Sequence, residues 1–398
     1  MERRRFIKRS AILSASSLIP GFVRQTGFDR IYGSRTGKIL VVIQLSGGND
    51  GLNTIVPIDN DLYYGNRPTL GIRKDNTIVI NDEIGFHPSL ESLRPVLDRG
   101  EMSIVSSVGY PNPNRSHFRS MDIWHSASDE DRQLQTGWIG RYLDSNCPSC
   151  SDPYHAVEIG DELSLALKGI RRDGFAMRSP EKIRRTATNP LHVHLAKSYP
   201  DRKLDPNVDY LYKTMIEVQE SAAYLYQQSK KKRSNGNYPR HPFANGLKQI
   251  AELIMADTDT KIYYVSLSGF DTHVNQLTRQ NYLLKVYSES VSAFIQDLRD
   301  SRLLEDTLVM TFSEFGRRVK ENGSRGTDHG TANNVFFFGG RLAKPGLING
   351  MPDLSNLEQG DLIHQIDFRS IYSTILEDWF ESASTNILSG SFDKISII

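Results

Sequence analysis

The stretch Thr307-Leu308-Val309-Met310-Thr311-Phe312 is apolar or β-branched throughout and stops abruptly at Ser313-Glu314-Phe315-Gly316-Arg317. A run of this length without polar alternation predicts a strand covered on both faces. That requirement constrains the rest of the chain. A doubly covered strand needs parallel neighbours, and crossover helices to reach them. It also fixes where chemistry can sit, because loops leaving the carboxyl ends of such strands carry ligand contacts while the strands hold them still. Glu314 falls at such an end, and Gly326-Thr327-Asp328-His329-Gly330 follows closely.

Four further runs repeat the pattern. Lys38 to Leu45 leads into Ser46-Gly47-Gly48-Asn49-Asp50-Gly51, Met102 to Val108 leads into a loop ending at Arg115-Ser116, Lys261 to Leu267 leads into Ser268-Gly269-Phe270-Asp271-Thr272-His273, and Asn334 to Gly340 follows His329. Helical spacing of apolar residues marks His117 to Ala127, Gln135 to Asp144, Val208 to Gln228, Phe243 to Ala256, Gln280 to Asp300 and Asp367 to Phe380. Strands alternating with helices predict a doubly wound α/β fold with a mostly parallel central sheet flanked by helices.

Acidic and imidazole groups gather at the predicted carboxyl edge. Asp50 ends the first strand, although Asn-Asp-Gly is also a plain turn sequence. Asp271 and His273 are two apart in an extended stretch and so point to one side, where oxygen and imidazole together suit a cation such as zinc or manganese. Glu314, Asp328 and His329 reach the same edge, and such groups seldom collect unless something positive binds between them. Ser116 stands at a helix N-terminus, where the dipole favours an anion; it is either a nucleophile or an ordinary N-cap. Arg115 and Arg317 are candidates to hold the non-bridging oxygens of an anionic group, or else surface ion pairs. His192 and His194 would present two imidazoles from one side if their segment were extended. His87 reads as a cap or packing residue.

With 398 residues and 38% hydrophobic content the chain can build a sizeable core. Its 48 Lys+Arg against 47 Asp+Glu, a formal charge of +1, leave no field of the kind nucleic-acid binding requires. Arg3-Arg4-Arg5-Phe6-Ile7-Lys8 and the short apolar stretch after it resemble a bacterial twin-arginine export signal, which predicts a periplasmic or cell-surface protein. That stretch is too short to span a bilayer. The division expected is a signal and leader over 1–35, then a single domain over 36–398 with a helical insertion around 200–257. Cys147 and Cys150 would close a small disulfide loop in an oxidising compartment or form half a zinc site.

The segments Gln44 to Gly51, Gly269 to His273, Thr311 to Arg317, Thr327 to Gly330 and Asp367 to Ser370, in this order, resemble DUF1501, a family of exported bacterial proteins grouped with the alkaline phosphatase and sulfatase superfamily. The resemblance implies an alkaline phosphatase-like fold and a two-metal hydrolase of phosphate or sulfate esters, acting on a small-molecule or polymer substrate. It makes Asp50, Asp271, His273, Glu314 and His329 ligands of one or two divalent ions, zinc, manganese or calcium, with Asp328 as an extra carboxylate. Ser116 occupies the nucleophile's place. The chain departs from the superfamily in having Glu314-Phe315 where Asp-His is usual. The alternative is an inactive exported binding or assembly protein on the same fold.

Overall fold

The computed structural model describes residues 37–146, 153–198 and 205–398, so the expected export segment and the Cys147/Cys150 pair lie outside the described residues. Nine strands form the central sheet: β1 (Ile39–Ser46), β2 (Met102–Gly109), β3 (Ala156–Ile159), β4 (Phe175–Met177), β5 (Ile262–Ser268), β6 (Thr307–Phe312), β7 (Asn333–Phe338), β8 (Gly346–Leu347) and β9 (Ile366–Asp367). Their order is β8-β2-β7-β6-β1-β5-β3-β4, with β9 also paired to β2. Every pairing is parallel except the two made by β7, which runs against both β2 and β6.

The unbroken apolar runs are explained by burial on two sides. Val41, Ile43, Tyr263, Val265, Val309, Phe336 and Phe338 join one core cluster, whereas Leu40, Val42, Ile262, Tyr264, Leu308, Met310, Val335 and Phe337 join the other. Period-two alternation therefore sorts residues between two dry faces rather than between core and water. Helices α4 (Pro242–Met255) and α5 (Gln276–Asp300) cover the first face through Leu247, Ile250, Leu283 and Phe294. Helices α1 (His117–Ser126), α2 (Trp138–Asn146) and α6 (Phe368–Thr374) cover the second through Trp124, Trp138 and Tyr372. Ile43 is 0% exposed, so truncation to Ala would cost about 2–5 kcal/mol in lost transfer energy and cavity.

Residues Lys38–Ile398 form one compact unit. Helix α3 (Pro206–Gln228) packs against the Pro180–Ala187 helix, while α4 belongs to the layer on the sheet. His192 and His194 lie on a helix, Pro190–Lys197, not on an extended segment. Pro190 occupies its first turn and the Asn189 side chain caps it, which outweighs the extended reading. His87 caps Pro88–Leu93, its Nδ1 accepting from the Ser89 amide at 3.0 Å.

Register positions the site. Ser46 pairs with Ser268 and Gln44 with Phe312, so β1 and β5 end level, β6 ends two residues earlier, and Gly47, Gly269 and Ser313 are released at one edge. Gly47 has φ +116°, and a Cβ there would lie 2.4 Å from the Asp271 amide nitrogen. Only glycine permits that turn and that approach. Asp328 and His329 come to the same edge from the other direction: they precede the antiparallel β7, whose amino end lies beside the carboxyl ends of its neighbours.

A candidate metal centre at the carboxyl edge of the sheet

One oxygen, Asp271 Oδ1, is the meeting point. It lies 2.8 Å from Arg317 Nη2, 3.0 Å from His273 Nε2, 3.1 Å from His329 Nε2 and 3.4 Å from His117 Nε2. The ligand atoms of His117, Asp271 and His329 all fall within 4.8 Å of one another. His273 Nε2 joins from the outside, 2.9 Å from His329 Nε2.

The far side of each ring explains why these nitrogens face inward. His117 Nδ1 is 2.9 Å from Glu314 Oε1, His273 Nδ1 is 3.1 Å from Asp328 Oδ1, and His329 Nδ1 is 2.8 Å from the Arg115 carbonyl oxygen. Each acceptor receives a hydrogen bond from Nδ1–H, which leaves Nε2 of a neutral imidazole as a bare lone pair directed at the centre. His117 Nε2 is buried and makes no hydrogen bond. Converging lone pairs repel unless a proton or a cation lies between them. Metal bonds of about 2.0–2.2 Å would set neighbouring ligand atoms roughly 3.0–3.5 Å apart, the range spanned by most of these contacts. The donor set, imidazoles with one carboxylate, fits a borderline cation such as zinc or manganese.

Electrostatics favour positive charge here. Burial pushes the Asp271 carboxyl up, but the hydrogen bond and charge of Arg317 outweigh it and hold the group down to about 2. The hydrogen bond to Glu314 raises His117, with burial opposing. Burial lowers His329. Asn322 and His273 lower Asp328. Phe315 forms an apolar wall, its ring centroid 4.9 Å from that of His117 and 4.7 Å from that of His329.

The sequence-expected residues fall into three groups. Asp271, His273 and His329 come together at the centre. Glu314 and Asp328 stand behind histidines instead of facing the centre; Glu314 is fully buried, and its Oε1 also accepts from the Gly47 amide at 2.8 Å. Asp50 is engaged elsewhere. Its buried carboxylate accepts from Arg67 Nη1 at 2.6 Å, Gln276 Nε2 at 2.5 Å and the Asn53 amide at 3.3 Å, so its charge is already balanced. Arg67 carries no local mark of this pairing in the sequence.

Arg317 also departs from its expected substrate contact. It is buried, and its guanidinium donates to the carbonyls of Gly48 at 2.6 Å, Thr327 at 2.9 Å, Phe270 at 2.9 Å and Gly47, besides Asp271. It clamps three loops together and has little left to offer an incoming anion. Arg115 pairs with the buried Asp361. Ser116 is exposed at the start of α1, and its hydroxyl makes no capping bond.

His117 is the member of this cluster that sequence reading passes over. Its only signal is position: it opens α1 directly after the loop that leaves the carboxyl end of β2.

The fold and this cluster define a helix-flanked, mostly parallel α/β protein with a histidine–carboxylate centre at its strand ends. Residues 37–378 match the model of DUF1501, described as a protein of unknown function, and the chain belongs to that family. No curated protein matches the chain. Among solved structures it is similar to a sulfatase from Pseudoalteromonas sp., with TM-score 0.38, 12% identity, and coverage of 93% of this chain and 72% of that one. It is similar also to a protein in the alkaline phosphatase superfamily from Vibrio parahaemolyticus, with TM-score 0.37, 12% identity, and coverage of 79% and 62%. The lipoteichoic acid synthase of Listeria monocytogenes gives TM-score 0.32, 10% identity, and coverage of 79% and 69%. At such identity the site, and not the likeness, carries the functional argument.

Proposed function

We propose that the protein is a hydrolase of phosphate or sulfate esters that uses one divalent cation held by His117, Asp271 and His329, with His273 beside them. The observation that carries this reading is the set of Nε2 atoms turned toward one carboxylate oxygen by acceptors fixed behind each ring. When bound, the cation would polarise the ester oxygen as a Lewis acid. The chain does the rest. Glu314, Asp328 and the Arg115 carbonyl orient the imidazoles, and Arg317 fixes Asp271. Ser116, exposed at the start of α1 with its hydroxyl uncommitted to the helix, is the nucleophile in this reading, and the unpaired amides of the first helical turn favour the anion formed there.

Export by a twin-arginine-type route belongs to the same proposal, supported by Arg3-Arg4-Arg5-Phe6. Among the described residues no helix is long and apolar enough to cross a membrane.

Metal analysis of the purified protein, followed by turnover of aryl phosphate and aryl sulfate, tests the hydrolase. His117→Ala should lose both metal and turnover, and Ser116→Ala turnover alone. A protein that binds no divalent ion overturns the proposal. One observation favours a second reading, a metal-holding binding or assembly protein. Arg67 closes Asp50 off, which removes a first-strand ligand that a two-cation site would use. Stoichiometric metal without turnover of either ester would establish that reading.

A further inference from the structure

Beside the centre lies a cavity of about 420 Å³ whose purpose nothing above explains. It shares two residues with the centre: Arg115, whose carbonyl orients His329, and Phe315, whose ring packs against His117 and His329. Its roof is the Leu357–Leu362 turn, pinned where the buried Asp361 receives Arg115 and Arg318. Its volume falls within the range of roughly 300–1,000 Å³ typical of small-molecule sites.

The lining selects a chemistry. Among the described residues Asn112, Glu358 and His364 have no side-chain hydrogen-bond partner, and Glu130 has one oxygen not engaged by Asn114. Arg115 Nε is buried without a partner. Carboxylate, amide and imidazole groups lining one cavity can accept from and donate to neighbouring hydroxyls of a ring. Anionic cargo fits poorly. The full cation at the wall, Arg115, is spent on Asp361, whereas Glu130 and Glu358 would repel a second phosphate.

We propose that this cavity seats the leaving group of the ester, and that the group it accepts is a neutral, hydroxyl-rich ring the size of a single sugar. The inference rests on the hydrolase reading for its name, leaving group, but its test does not need turnover. The full chain is titrated with methyl glucopyranoside and, separately, with adenosine monophosphate, and binding is read by saturation-transfer NMR. The glycoside should bind and the nucleotide should not. Glu358→Gln combined with Asn112→Ala should weaken the glycoside about tenfold or more, as expected for losing hydrogen bonds that include one to a charged group. Ile363→Trp, which fills the cavity from its rim, should abolish binding. Absence of glycoside binding, preference for the nucleotide, or undiminished binding by Ile363→Trp and by the Glu358/Asn112 variant overturns the inference. If the glycoside binds but no ester is turned over, the hydrolase reading fails and this one stands. If aryl esters are turned over and no glycoside binds, the reverse holds.

Discussion

His117 Nδ1 lies 2.9 Å from Glu314 Oε1, and that same oxygen accepts the Gly47 amide at 2.8 Å, so one buried carboxylate ties the start of α1 to the end of β1. In the proposed metal site Glu314 would act on the cation through His117. Glu314→Gln keeps the shape but weakens the grip on the Nδ1 proton. Divalent-metal affinity, followed by isothermal titration calorimetry, should fall about 10–100-fold, the usual cost of losing such a partner. An unchanged affinity would show that His117 is not a ligand.

Arg317 is expected to matter for stability before it matters for chemistry. Arg317→Met leaves the Asp271 charge without its nearest guanidinium and strands several buried carbonyls. Removing one member of a buried charge pair costs about 3–5 kcal/mol, discounted here because Asp271 is half exposed. Guanidinium unfolding should register a loss of roughly 2 kcal/mol or more. A midpoint within error of the parent would contradict the clamp.

Asp50 and Arg67, both fully buried, form a pair whose halves depend on each other. Arg67→Met alone should destabilise by about 3–5 kcal/mol, because Asp50 then remains charged and buried. Asp50→Asn with Arg67→Met should cost clearly less than the sum of the two single changes. Additive losses in the double-mutant cycle would rule out this coupling.

Glu158 supplies a pH signature away from the centre. Burial pushes its carboxyl up to about 7, with the Ser164 amide pulling it partly back. An acid with a raised folded-state pKa binds its proton more tightly in the native than in the unfolded chain. Stability contributed by this group should therefore be greatest below about pH 4.5, fall as pH rises toward about 7 and level off above. The full swing is roughly 3 kcal/mol. Glu158→Gln should flatten that dependence and raise the melting temperature at pH 8 but not at pH 4. If parent and variant melt alike at both, the carboxyl is not protonated in the fold.

The sheet was legible because its strands are dry on both faces, which writes an unbroken apolar run into Ile39–Leu45 and Thr307–Phe312. Asp271, His273 and His329 were legible for a related reason: each sits just past or just before such a run. What stayed hidden depends on contacts between distant parts of the chain. Nothing local tells Asp50 that Arg67 will neutralise it, and nothing marks Arg317 as a donor to backbone carbonyls instead of an exposed anion holder. His117 was hidden by its neighbour, because Ser116 carries the familiar features of a helix start while the imidazole one residue on does not. Glu314 and Asp328 were found at the right edge, but their place behind the histidines is a matter of side-chain direction that spacing does not encode.

The reversed run of β7 has one more consequence. Since His329 enters from the amino end of that strand, the link from Arg317 needs no crossover helix. Within that link Val319 is buried, Arg67 donates to the Arg318 and Val319 carbonyls, and the Glu321 carboxylate accepts the Thr69 and Leu70 amides, so the exposed tip around Gly323 is where its length can change. That tip is thus the part of the outer wall most open to redesign, and a graft there is the natural way to change what approaches the centre without disturbing the residues that line it.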